Sequence, residues 1–151
     1  MGDENLLDIN ITGLWHKNLY TSLERLQDLE RICRDGGVDI VEYLQVDPRR
    51  LPEIKFVHLK MMVTEIGILI TNARKKIDEK FYTNAKKHLK KIKTIVDLNP
   101  TLVFTRVRDE GRHTVIRELS PLYYEILGVL SKIRGKLVTQ LSDVLYGKAA
   151  R

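Results

Sequence analysis

The spacing of apolar residues along the chain predicts a fold built mainly from amphipathic helices. Apolar positions three and four residues apart indicate a first helix from Leu14 to Arg34, and the two glycines at positions 36 and 37 are suited to end it. A short helix over residues 38–44 follows. Residues 47–52 are predicted to form a turn, because two prolines this close together do not lie inside one helix.

The segment between Pro52 and Pro100 carries the clearest helical pattern. Pro52 suits the first turn of a helix, and the wide apolar face that follows is typical of a central helix packed on two sides. Further along, five apolar residues share one narrow stripe: Phe81, Ala85, Leu89, Ile92 and Val96. No Gly or Pro occurs between Gly67 and Asn99. The pattern therefore allows either a break near residues 78–82, which gives an antiparallel pair of helices, or one continuous rod.

After Pro100 the pattern changes. Two runs rich in β-branched residues, 102–107 and 113–117, are separated by residues 108–112 with a glycine among them, and this arrangement predicts a β-hairpin. Because a lone hairpin is marginally stable in water, we expect it to pack on the helices or on a partner chain. Pro121, preceded by a serine suited to capping, opens a last helix with a long and nearly heptad apolar stripe.

These elements predict a mostly α fold: a bundle of four to five helices with a single β-hairpin, about residues 102–117, inserted before the long C-terminal helix. We divide the chain into an acidic N-terminal arm (1–12), one helical domain (13–147) and a basic tail (148–151). A length of 151 residues with 43% hydrophobic and 30% charged residues is typical of one globular domain. The apolar runs are too short to cross a bilayer and the first residues do not resemble a signal peptide, so we expect no membrane partner and a cytoplasmic location.

The charge of the chain is polarised. The formal net charge of +6 is spread unevenly. Residues 74–93 hold nine Lys or Arg against two acids, whereas residues 1–73 carry a net charge of −4. This uneven distribution predicts an anionic partner, because a concentrated cationic segment attracts anionic surfaces.

The cationic segment is the first candidate binding site. Its members are Arg74, Lys75, Lys76, Lys80, Lys86, Lys87, Lys90, Lys91 and Lys93. Lysines four residues apart on one helix repel each other by a few tenths of a kcal/mol, and only Asp78 and Glu79 are close enough in sequence to compensate. We interpret the segment as a surface for an anionic partner, with the phosphate backbone of a nucleic acid as the first candidate. A solvated surface, or a contact for an acidic patch on another subunit, is the alternative.

The predicted hairpin is the second candidate binding site. It carries Arg106, Arg108, Arg112 and Arg117. Arginine grips phosphate in a bidentate way, and a two-stranded ribbon fits a nucleic-acid groove. Alternation along the first strand places Arg106 and Arg108 on the same side. An ordinary solvent-exposed hairpin face is the alternative.

Other chemistry has little support in the sequence. The ten aromatic residues fall mostly on apolar stripes, and only Tyr82 and Tyr124 are candidates for base stacking. The four histidines lack metal-ligand spacing, and no glycine-rich phosphate loop occurs, so we predict no catalytic residue, no metal and no cofactor.

Cys33 lies on an apolar stripe and is predicted to be a core residue in a reducing compartment. Glu65 is a candidate buried carboxylate with no partner visible in the sequence.

Two functions are compatible with these patterns. The first is a non-catalytic nucleic-acid-binding accessory protein of replication, recombination, packaging or transcription, with DNA favoured over RNA and little sequence specificity. The second is a helical scaffold or adaptor that self-associates and docks an acidic protein through its basic face. The broad apolar face of the central helix and the stripe of the last helix favour a homo-oligomer. Both functions are compatible with one molecule, because oligomerisation multiplies phosphate contacts.

Overall fold

A computed structural model describes residues 2–35, 45, 47–108 and 115–146 of the chain. The described residues form four α-helices and one antiparallel two-stranded sheet, as the sequence predicted. The elements in chain order are α1 (Gly2–Asp35), α2 (Leu51–Asn72), α3 (Glu79–Leu98), β1 (Phe104–Arg108), β2 (Val115–Leu119) and α4 (Pro121–Tyr146).

Helix α1 begins at Gly2, twelve residues before the predicted start at Leu14. The backbone of the segment predicted as an N-terminal arm is therefore helical and runs directly into the rest of α1. Leu19, Leu26 and Cys33 are buried along the predicted stripe. The predicted short helix over residues 38–44 and the basic tail 148–151 lie outside the described residues.

Helix α2 is the centre of the bundle. It follows a 3-10 turn over Pro48–Arg50 and starts one residue before Pro52, which confirms the predicted turn and helix start. It packs against α1, α3, α4 and β2, as its wide apolar face predicted. Its buried side chains are Phe56, Leu59, Met62, Val63, Ile66, Leu69 and Ile70.

Helices α2 and α3 are separate and antiparallel, so the alternative of one rod is wrong. A 3-10 turn over Arg74–Lys76 joins them, and the side chain of Asp78 caps α3 by accepting a hydrogen bond from the Phe81 N–H at 3.0 Å. Lys60 near the start of α2 pairs with Asp97 near the end of α3. The five apolar residues of the predicted α3 stripe are all buried.

The hairpin lies about two residues later in the chain than predicted. The helix end at Asn99 continues into a 3-10 turn over Pro100–Leu102, which delays the first strand to Phe104. The register pairs Phe104 with Leu119 and Arg108 with Val115, and the connection between the strands lies outside the described residues. The Phe104 ring packs on Phe56 of α2 with ring centroids 4.7 Å apart, so the helices support the hairpin.

Helix α4 closes the core against α1. Tyr123 is fully buried, and its hydroxyl donates a hydrogen bond to the Cys33 carbonyl at 2.9 Å. Ile126, Leu130 and Leu137 continue the buried stripe that the sequence predicted for this helix. None of the described helices combines the length and apolar character that crossing a membrane requires.

Candidate nucleic-acid interface

The nine cations of residues 74–93 lie on one continuous part of the surface, which we call the basic face. Arg74, Lys75 and Lys76 are exposed on the turn between α2 and α3, and the other six lie along α3. On α3 only Lys86 is half-buried, and the remaining lysines are exposed. From Lys80 to Lys93 the helix rises about 20 Å, which equals about six base-pair steps of duplex DNA.

None of the cations of the basic face forms an ion pair with a described carboxylate. All of them are more than 4.0 Å from such a group, although other ion pairs form in the described part of the chain. Two acids lie beside the basic face: Asp78 caps α3 with its side chain, and the exposed Glu79 borders a hollow with Arg74 and Lys75 without pairing with either. Nine cations thus face two acids there, and an anion from outside the subunit would relieve the remaining repulsion among the lysines.

Tyr82 holds two members of the basic face in place. The Arg74 guanidinium carbon lies 4.8 Å from the Tyr82 ring centroid, and the Lys86 Nζ lies 5.8 Å from it. These are cation–π distances. Lys86 also donates to the Thr71 hydroxyl at 2.6 Å. Tyr82, a stacking candidate in the sequence, thus orients cations, whereas Tyr124 is about half exposed at the other end of the bundle beside Lys55.

Two further lysines extend the basic face onto α4, and sequence reasoning missed them. An open hollow of about 810 Å³ between α3 and α4 is lined by Lys80, Lys132 and Lys136, together with Asp78 and neutral side chains. Lys132 and Lys136 are exposed and four residues apart. Their spacing on the polar side of the last helix was a signal in the sequence that both are exposed on one face. Their proximity to Lys80 depends on the packing of α4 on α3, which the sequence did not reveal.

The hairpin lies at the opposite end of the bundle from the turn that carries Arg74. Phe104 packs near the start of α2, whereas Arg74 follows its end, and the 22 residues of α2 rise about 33 Å. The register places Arg106 opposite Arg117, with Arg108 at the end of β1. Arg112 lies outside the described residues. The two candidate sites are therefore separate regions, and Lys93 is the member of the basic face on the hairpin side of α3.

A second group of charges, the Glu30 cluster, lies between α1 and α4. It consists of Glu30, Arg34, Ser131 and Arg134. The Glu30 carboxylate is 2.7 Å from Arg134 and 3.3 Å from Arg34, and Arg34 donates to the Ser131 hydroxyl at 2.9 Å. Burial raises the pKa of Glu30, but hydrogen bonds from Ser131 and Arg134 and the two guanidinium charges outweigh it and hold that pKa below its usual range. Ser131 and Arg134 lie about 100 residues after Glu30 in the chain, so sequence spacing gave no signal of this cluster.

The other candidate residues do not form a reactive site. Cys33 is fully buried, and burial raises its pKa to about 11, so it remains a protonated core thiol. Glu65, which had no partner in the sequence, pairs with Arg25 at 2.9 Å. His58 contacts the Ile54 carbonyl, and His88 is exposed on α3. Among the described residues, no three His, Cys, Asp or Glu side chains gather in a way that would hold a metal.

Comparison with protein-family models, with curated proteins and with solved structures gives no match. The functional argument therefore rests on the geometry of the basic face.

Proposed function

We propose that this protein is a non-catalytic nucleic-acid-binding accessory factor that grips the phosphate backbone with the basic face. The observation that carries the proposal is that nine clustered cations form no ion pair with a described carboxylate. A protein that neutralises phosphates with lysine gains affinity from the counterions released by the nucleic acid.

The shape of the basic face supports backbone contact rather than base recognition. Lys80, Lys87 and Lys91 are spaced seven and four residues apart, so they lie along one stripe of α3. Lysine presents a flexible point charge, which suits phosphate contacts at many sequences. We therefore expect little sequence preference. A row of cations fits the regular backbone of a duplex, and we take DNA, rather than RNA, as the first duplex to test.

Lys132 and Lys136 widen the proposed contact. With Lys80 they place three cations in a hollow beside the α3 stripe, against the single carboxylate of Asp78, and Asn84, Thr139 and Gln140 supply neutral polar groups there. A phosphate next to the α3 stripe would meet cations from two helices. The arginines of the hairpin are a second proposed contact, about 30 Å away along α2. A nucleic acid that touches both regions would follow the length of α3.

We place this activity in the cytoplasm, where a buried free thiol such as Cys33 remains reduced.

The experiment that tests this function replaces Lys80, Lys87 and Lys91 with Gln and measures binding of labelled DNA and RNA by fluorescence anisotropy. We expect the wild type to bind with micromolar or tighter affinity at low salt, and the variant to bind at least about tenfold more weakly. The three side chains are exposed, so the variant is expected to fold normally.

A matched control removes the same charge elsewhere. Replacing Arg50, Lys55 and Lys60 with Gln also takes the net charge from +6 to +3, but these residues lie in and before α2, outside the basic face. Because Arg50 and Lys60 pair with Glu53 and Asp97, urea denaturation is used to verify that the control folds as the wild type does. The control is expected to retain most of the affinity. Equal losses in both variants would mean that net charge, not the basic face, governs binding, and no binding at low salt would refute the proposed function.

A further inference from the structure

Helix α2 exposes an apolar stripe on the side opposite its buried face. Val57, Met61 and Ile68 are 52%, 45% and 53% exposed. With Thr64 they are spaced four, three and four residues apart, so they lie along one line of the helix about 17 Å long. Three large apolar side chains in one line on a central helix indicate a contact surface rather than scattered exposure.

The stripe borders a groove between α2 and α3. The groove has a volume of about 480 Å³ and contains Ile68 and Gly67 from α2 and Leu89 from α3. Lys86, Lys90 and Lys93 line its α3 side. A Cβ atom added at Gly67 would meet no atom within 4 Å, so that part of the groove is open. The groove therefore offers an apolar strip with three cations along one edge, which suits an acidic amphipathic helix.

The N-terminal segment of the chain has the composition of such an acidic amphipathic helix. Residues 2–14 hold three acids, at positions 3, 4 and 8, and no Lys or Arg. In the same segment Leu7, Ile11 and Leu14 recur at the spacing of one helical stripe. The backbone of the segment is helical, and thirteen residues rise about 20 Å, close to the length of the α2 stripe.

The packing of α1 leaves this segment beyond the end of α2. The two helices are antiparallel, since Arg25 pairs with Glu65 and the Cys33 thiol contacts the Lys55 carbonyl. Continuing that alignment places Asn72, the last residue of α2, opposite residues near position 17 of α1. Residues 2–14 therefore extend past the last turn of α2, out of reach of the groove in their own subunit.

We propose that the α2–α3 groove is a self-association site that receives residues 2–14 of a second copy of this chain. Glu4 and Asp8, which are one helical turn apart, would face the groove lysines, and the apolar residues of the segment would cover the α2 stripe. Opposite charges across an interface steer encounter and fix the register of docking. In a two-fold dimer each subunit would supply one segment and one groove. Lys86, Lys90 and Lys93 also belong to the basic face, so the docked segment would cover three of its nine cations and leave Lys80, Lys87 and Lys91 exposed.

Sedimentation velocity of the full chain, without nucleic acid and at low salt, tests the proposal. We expect a concentration-dependent dimer in the wild type. Replacing Glu4 and Asp8 with Lys, or Lys86 and Lys90 with Glu, is expected to weaken association by about tenfold or more. Combining both pairs of changes restores opposite charges and is expected to restore association to within about threefold of the wild type.

Two control variants keep the test specific. Replacing Glu24 and Asp28 with Lys makes the same charge change on an exposed part of α1 beside the bundle, and is expected to leave association unchanged. Ile68→Asp places a charge in the apolar stripe at an exposed position, and is expected to abolish association. Leu102→Asp, at a similarly exposed residue outside the groove, is its matched control.

A wild type that stays monomeric at about 100 µM protein would overturn the proposal. If it then bound an acidic amphipathic peptide, the groove would serve a different partner. An unchanged dimer in the Glu4 and Asp8 variant, or a combined variant that stays dissociated, would also overturn it. None of these outcomes depends on nucleic-acid binding, so this inference and the proposed function fail separately.

Discussion

The basic face and the Glu30 cluster both crowd cations together, but they differ in what surrounds them. In the Glu30 cluster two arginines share one carboxylate, which is 8% exposed and is held between α1 and α4. On the basic face nine cations lie at the surface with no described carboxylate within ion-pair distance. The first arrangement satisfies its charges internally, whereas the second leaves them at the surface without ion pairs, as the proposed phosphate contact requires.

We therefore assign a structural role to the Glu30 cluster and propose a binding role for the basic face. A buried carboxylate without its arginines would cost several kcal/mol, so the Glu30 cluster ties two helices together. The lysines of the basic face contribute little to folding and repel one another. Removing charge from the two regions should therefore have opposite consequences for stability.

The largest expected effect is on the Glu30 cluster. Glu30→Gln removes the shared charge, leaves the half-buried Arg134 without a counter-ion, and is expected to lower the free energy of unfolding by about 2 to 3 kcal/mol. Urea denaturation followed by circular dichroism measures this change. Glu24→Gln, at an exposed position of the same helix, is the control and should change the free energy by less than about 0.5 kcal/mol. Equal small effects in both variants would show that the cluster does not hold the helices together.

A smaller effect is expected from acid. The pKa of Glu30 is lowered in the folded state from an unfolded value near 4.5, so its stabilisation is present above pH 4.5 and is lost as pH falls through the folded pKa. The stability difference between the wild type and Glu30→Gln should therefore be constant at neutral pH and shrink below pH 4.5. Denaturation series from pH 7 to pH 3 test this. A difference that grows in acid would contradict the assigned direction of the pKa shift.

The smallest expected effect is on the basic face. Lys87 and Lys91 are four residues apart on α3, and replacing both with Gln removes a repulsion worth a few tenths of a kcal/mol. The variant is expected to be as stable as the wild type or slightly more stable in urea denaturation at low salt. A loss of more than about 1 kcal/mol would mean that these lysines have structural partners.

The sequence predicted most of the fold because its helices are strongly periodic. The α3 stripe from Phe81 to Val96 and the turn before Pro52 appear where the pattern placed them. The break before α3 was left open, because it depends on the capping side chain of Asp78 and not on Gly or Pro. The start of α1 was predicted too late, because the acidic composition of residues 1–12 was interpreted as an arm and not as part of the helix that begins at Gly2.

The candidate site was less predictable than the fold. Local spacing placed the α3 lysines on one surface, but the addition of Lys132 and Lys136 depends on how α4 packs against α3. The separation of the hairpin from the turn at Arg74 likewise follows from the antiparallel path of α2 and α3. The partners of Glu30 come from a helix about 100 residues later in the chain, at Ser131 and Arg134. Such contacts are set by tertiary packing, which a single sequence does not reveal.

The central claim is that the unpaired lysines of the basic face bind phosphate, and the salt dependence of DNA binding tests it most directly. Anisotropy titrations of a labelled duplex across about 50 to 300 mM salt should give a linear fall of log affinity with log salt. In the Lys80, Lys87 and Lys91 to Gln variant the slope should be shallower by about 2 to 3, one unit for each lost phosphate contact. An identical slope in the variant and the wild type would contradict the account, because those lysines would then release no counterions.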